Sequence, residues 1–101
     1  MTFDEYATER QKTAIYPKGL TYPTLGMCSE AGEFAGKIKK WQRDGTISWP
    51  DLVEELGDVL WYVDALAYEL GITLKSVAQR NIKKLADRAA RGTLAGSGDK
   101  R

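Results

Sequence analysis

Four carboxylates carry the strongest chemical signal in this sequence. Glu30 and Glu33 stand three residues apart in Glu30-Ala-Gly-Glu33, and Glu55 and Asp58 repeat the spacing in Glu55-Leu-Gly-Asp58. On a helix such residues are neighbours on one face, so each pair sets like charges side by side at a cost of about 0.2–0.5 kcal/mol. A cation relieves that cost. Oxygen-only ligation favours hard ions, Mg²⁺ first and Mn²⁺ second. Mg²⁺ held by carboxylates keeps positions open for water and for a substrate phosphate. The chain has no His, which removes imidazole acid–base catalysis and His-ligated zinc, and its single Cys28 excludes internal disulfides and Cys-rich metal sites.

Those pairs need helices to hold them, and the apolar residues recur at helical spacing with no strand-like alternation. The chain is read as all-α, an antiparallel bundle of about four helices completed by oligomerisation. A first helix is expected from Phe3 to Ile15, with Thr2 as N-cap and Glu5 as its reciprocal partner. A turn at Tyr16-Pro17-Lys18-Gly19 follows. A second helix starts between Tyr22 and Thr24 and runs to Arg43, where Asp44-Gly45 supplies a C-cap. Ser48 caps a third helix that tolerates Pro50 in its first turn and ends before Gly71. Thr73 caps a fourth that reaches Ala90. Residues 1–91 form one domain on this reading, and the glycine-rich residues 92–101 a flexible tail.

At 100° per residue, Met27, Ala31, Phe34, Ile38 and Trp41 form an apolar arc on the second helix; Glu30 lies roughly 70° to one side and Glu33 about 60° further round. Leu52, Leu56, Val59, Leu60, Val63 and Leu70 form the arc of the third helix, with Glu55 and Asp58 at nearly the same offsets on the same side. Antiparallel neighbours joined by a short loop are related by a two-fold axis, so equal offsets bring all four carboxylates to one side of the seam. Gly32 and Gly57, inside the motifs, are expected where a backbone or ligand approaches closely. The bland alternative is a set of solvated surface acids, with Glu33 and Lys37 in an ordinary i, i+4 ion pair.

Composition narrows the classes further. In 101 residues, fifteen Lys and Arg against fourteen Asp and Glu leave a net charge of +1, with no large excess of either sign to suggest a polyanion-binding surface, so no nucleic-acid partner is expected. No apolar run approaches the ~20 residues of a membrane span, and acids stand where a signal peptide carries basic residues; the expectation is a cytoplasmic protein with no membrane partner. Gly32-Glu-Phe-Ala-Gly-Lys37 is one residue short of a phosphate-binding P-loop and lacks its Ser or Thr. A second apolar strip, Trp61, Ala65 and Tyr68, makes the third helix apolar on two sides, so it is expected to meet the first helix or another subunit. Tyr62 and Trp41 are read chiefly as core aromatics, with base stacking as their alternative role.

Taken together, Glu30-x-x-Glu33, a spacer of twenty-one residues and Glu55-x-x-Asp58 resemble the pattern of the MazG-like, all-α nucleoside triphosphate pyrophosphohydrolases. The similarity extends through Leu25-Gly-Met-Cys-Ser-Glu-Ala-Gly-Glu, Lys39-Lys40, Glu54-Glu-Leu-Gly-Asp-Val-Leu-Trp-Tyr and Asn81-Ile-Lys-Lys-Leu, most of positions 20 to 91. The resemblance implies Mg²⁺-dependent hydrolysis of a nucleoside triphosphate between the α and β phosphates, with Glu30, Glu33, Glu55 and Asp58 as metal ligands and Glu30 or Glu33 as the base. It also implies substrate contacts from Asn81 and Lys84, and assembly as a homodimer or homotetramer. Asn81 falls on the edge of the fourth helix's apolar arc, with Lys84 and Arg88 beside it on the side matching the acidic pairs. As charge-assisted donors, Lys84 and Arg88 suit phosphate, with Lys37, Lys40 and Arg43 as weaker candidates. A non-catalytic oligomerisation module and a phosphoribosyl-ATP pyrophosphohydrolase remain as alternatives.

Overall fold

Local capping chemistry places the helix starts. In the computed structural model, which describes residues 1–101, Thr2 accepts from the Glu5 backbone N–H at 3.0 Å while Glu5 accepts from the Thr2 N–H at 2.9 Å. This reciprocal box opens α1 (Phe3–Gln11). The helix ends four residues earlier than expected. Thr13 turns its hydroxyl onto the Arg10 carbonyl at 2.9 Å, and the Thr13 and Ala14 N–H groups bond three residues back, a tightening that leads into the Tyr16-Pro17 turn.

Pro23 lies fully buried in the first turn of α2 (Thr21–Asp44), which closes on Gly45 at φ 74°. Ser48 caps α3 (Trp49–Glu69), Gly71 at φ 75° turns the chain, and Thr73 accepts from the Ser76 N–H at 3.0 Å to start α4 (Leu74–Ala90). There is no strand, and no helix is long and apolar enough to cross a membrane. The fold is an all-α bundle.

The short connection after α2 folds α3 back along it as an antiparallel hairpin. Helix α1 packs on α3 and α4, and α4 packs on α1 and α3 but does not touch α2. Of the two partners expected for the Trp61–Ala65–Tyr68 strip, the chain uses α1: Ala65 is fully buried, and the Arg10 guanidinium lies 5.2 Å from the Trp61 ring centre and 5.8 Å from that of Tyr68. Residues 92–101, expected as a flexible tail, are turned back on the end of α4, where Arg101 donates to the carbonyls of Thr93 and Leu94.

The core is small for the chain. Leu52, Ala65, Ala67 and Leu74 are its buried aliphatic side chains, while Leu25, Val53, Leu56 and Ile82 are more than half exposed. The radius of gyration is 16.3 Å, against roughly 13 Å for a compact chain of this length. The accessible surface is 7480 Å², against about 5,700 Å² for a compact monomer of this mass.

Candidate metal centre and its cleft

The matched offsets on α2 and α3 have the expected consequence for three of the four acids. Carboxylate oxygens of Glu30, Glu55 and Asp58 lie within 4.8 Å of one another across the helix seam. Glu33 stands outside this group and exposed, though its charge still acts on Glu30.

The electrostatics of the three acids are unresolved by the protein itself. The Glu30 carboxyl is pushed above its usual range, first by burial, then by the closeness of the Glu55 carboxylate and by the charges of Asp58 and Glu33. One Glu55 oxygen accepts from Lys37 Nζ at 3.0 Å; the other, Oε2, is buried with no partner. The Glu55 hydrogen bond pushes the Lys37 amine up in turn. An unpartnered buried carboxylate oxygen among repelling carboxylates is a donor set that fits a hard divalent cation, and the Lys37 ammonium supplies only one counter-charge to the three acids.

Beside the three acids, Glu30 and Asp58 open into a cleft of about 450 Å³, a volume ordinary for a small-molecule site. Its walls are aromatic: Tyr16 and Tyr22 lie parallel with ring centres 5.8 Å apart, and Trp61 meets Tyr62 edge-on at 5.0 Å. Sequence spacing places Tyr62 near the acids; it says nothing of Tyr16, which reaches the cleft because the loop after α1 folds back. Trp41 packs instead against Trp49 with ring centres 6.1 Å apart.

The glycine that this packing requires is Gly26. A Cβ there would overlap the Tyr62 ring, whereas Gly32 and Gly57, expected at close approaches, face open space. Gly26→Ala is therefore expected to displace Tyr62 and destabilise the protein by about 1–3 kcal/mol, the range for overpacking, read by thermal unfolding against Gly32→Ala, whose methyl meets open space and should gain about 1 kcal/mol of helix propensity.

The basic candidates separate. Lys37 joins the cluster, and Lys40 lies exposed beside a shallow cavity with Asp44 and Asp51 at the α2–α3 turn. Arg43 pairs with Asp44 at 2.7 Å. Asn81 is exposed, Lys84 holds Asp99 Oδ1 at 3.1 Å, and Arg88 donates to the Asp99 carbonyl at 2.6 Å. Hydrogen bonds from Lys84 and then Arg88 keep the Asp99 carboxyl below its ordinary value. None of these three residues lines the cleft, because α4 does not touch α2 in one protomer.

Residues 21–92 match the family described as the MazG nucleotide pyrophosphohydrolase domain. The chain is similar to the Gene 37 protein of Mycobacterium phage L5, at 46% identity over 114 aligned positions that cover both chains in full. No solved structure matches it.

Proposed function

The chain belongs to the MazG nucleotide pyrophosphohydrolase family, and from that premise we propose that it hydrolyses a ribo- or deoxyribonucleoside triphosphate between the α and β phosphates, giving the monophosphate and pyrophosphate. The observation that carries the reading is the Glu30–Glu55–Asp58 group, with its unpartnered Glu55 oxygen, at the edge of an aromatic cleft. Glu30, Glu55 and Asp58 hold Mg²⁺, or Mn²⁺ in its place. When bound, the metal supplies positive charge to phosphate oxygens and lowers the pKa of water. Glu33, solvated just outside the three, is the carboxylate left to accept the proton of the attacking water.

Lys37, paired with one Glu55 oxygen at 3.0 Å, stands beside the three acids as a point charge that could meet a phosphate, with Lys40 further along the same helix. Asn81, Lys84 and Arg88 are assigned to the outer phosphates, a role consistent with the anion that Lys84 and Arg88 already hold. Since α4 stays off α2 within a protomer, assembly of copies is the route by which those groups meet a cleft. The surface beyond the compact-monomer value, about 1,800 Å², exceeds the roughly 800 Å² per partner of a standard interface. A homodimer or homotetramer is expected, and sedimentation equilibrium at micromolar protein checks it; a monomer of 11.2 kDa contradicts it.

The direct test is incubation with Mg²⁺ and a panel of nucleoside triphosphates and phosphoribosyl-ATP, measuring pyrophosphate and monophosphate in equal amounts. Orthophosphate as the product, or no turnover with either Mg²⁺ or Mn²⁺, overturns the proposal.

The cluster also makes metal binding pH-dependent. Because the folded-state pKa of Glu30 is raised, its stabilising share is full below its ordinary value of 4.5 and is lost as pH rises through the raised value. Bound cation needs the ionised carboxylates and offsets that loss. Saturating Mg²⁺ is expected to add about 2–3 kcal/mol, more at pH 8 than at pH 5, in thermal unfolding. Equal shifts at both pH values contradict a carboxylate site.

A further inference from the structure

We propose that residues 13–17, N-terminal to the part of the chain that matches the family, form the nucleoside-selecting wall of the cleft, with Tyr16 and Trp61 stacking the base and Thr13 holding Trp61 in position. The proposal rests on the pyrophosphohydrolase reading and adds to it which residues recognise the non-phosphate half of the substrate.

Three observations carry it. The cleft that opens onto Glu30 and Asp58 is lined as well by Thr13, Tyr16 and Trp61, so a ligand whose phosphates lie at the acids has those rings in the same cleft for its remaining part. Tyr16 meets Trp61 edge-on with ring centres 5.9 Å apart, which makes a corner of two aromatic surfaces rather than a flat face. The wall is also latched to the helices at both ends. Trp61 Nε1 donates to Thr13 Oγ1 at 3.0 Å, the same hydroxyl donates to the Arg10 carbonyl, and beyond the turn the Gly19 N–H is held by Glu69.

The chemistry of this wall selects a class of ligand. Thr13 has spent its hydroxyl proton on Arg10 and accepts from Trp61, so what it offers a ligand is position. The rings offer π-faces, which any base can stack on. A phosphate chain without a nucleoside gains nothing from them. Thr13 is a positioning residue on this account; Tyr16 and Trp61 are the contacts.

The experiment compares wild type, Tyr16→Ala, Thr13→Val and Thr13→Ser, each checked for helicity by circular dichroism. Steady-state kinetics are taken with a deoxynucleoside triphosphate and with inorganic tripolyphosphate. Binding of a non-hydrolysable α,β-imido nucleoside triphosphate is measured by calorimetry. Tyr16→Ala is expected to weaken nucleotide binding and raise KM about ten-fold, within the range for loss of one stacking ring, and to lower the preference for nucleotide over tripolyphosphate by a similar factor. Thr13→Val raises KM more than kcat falls, and Thr13→Ser, which keeps the hydroxyl, restores it. Nucleotide binding within two-fold of wild type in Tyr16→Ala, or an equal loss toward both substrates, overturns the proposal. Should wild type turn over no nucleotide, the function reading fails separately, and calorimetry alone decides the wall: binding lost in Tyr16→Ala supports it, and binding unchanged or undetectable in wild type overturns it.

Discussion

Glu55→Gln is expected to lower pyrophosphate release by about a thousand-fold while leaving the helices intact. The substitution keeps the side chain's shape and removes the charge from the carboxylate whose second oxygen is buried without a partner. Several kilocalories per mole of charge stabilisation at a phosphoryl centre correspond to a loss of about that size. Stability should move in the other sense or not at all. The amide no longer repels Glu30 and Asp58, and the Lys37 pair that it weakens is partly exposed, worth about 0–1 kcal/mol. The check is kcat/KM beside thermal unfolding with and without Mg²⁺: the variant should lose both turnover and the Mg²⁺-induced shift. Glu33→Gln separates the two roles, since it should lose about a hundred-fold in turnover, as for loss of a general base, yet keep the shift. Retention of more than a tenth of wild-type turnover in Glu55→Gln contradicts the assignment of the cluster.

The contrast between Glu55 and Glu33 also marks how far spacing along a helix can be read. Ser48 and Thr73 announce the starts of α3 and α4 because an N-cap is a property of a few consecutive residues. Glu30, Glu55 and Asp58 are legible for a related reason: two helices, one short loop and a rotation of 100° per residue determine which side chains share a seam. Glu33 has on α2 the offset that Asp58 has on α3, yet Asp58 joins the group and Glu33 does not, so rotation alone does not decide which acids meet. Lys37 shows where local rules end. Its i, i+4 neighbour Glu33 is the partner that helix geometry offers, yet it reaches across the seam to Glu55, whose buried position makes a counter-ion worth more. The aromatic wall was out of reach because it depends on contacts between residues 48 to 54 positions apart. Nothing in the Thr13–Pro17 segment itself says that it folds over Trp61. In the same way, Asp99 meets Lys84 and Arg88 only because the tail reverses direction after α4.

The largest expected loss of stability comes from Asp64→Ala. Helix α1 presents almost no apolar stripe, so packing alone holds it weakly, and its attachment to α3 centres on the ion pair of Arg10 Nε with Asp64. The two side chains are 1% and 3% exposed. The remaining guanidinium nitrogens have no hydrogen-bond partner and lie among the rings of Trp61 and Tyr68, whose faces take part of the charge. Removing Asp64 leaves that cation buried and uncompensated, at a cost of about 3–5 kcal/mol. For a chain of this length the midpoint should fall by the order of 20 °C. Arg10→Met combined with Asp64→Leu should recover most of the loss, since apolar side chains of similar volume commonly replace a buried pair at no cost. A double-mutant cycle completed with the single variants Arg10→Met and Asp64→Leu then reports a coupling of several kcal/mol; a coupling below about 1 kcal/mol would mean that the pair behaves as an exposed one does. Because Thr13 follows directly on this anchor, an Asp64→Ala protein still folded at low temperature should bind nucleotide more weakly than the double variant, which keeps α1 in place without the charges.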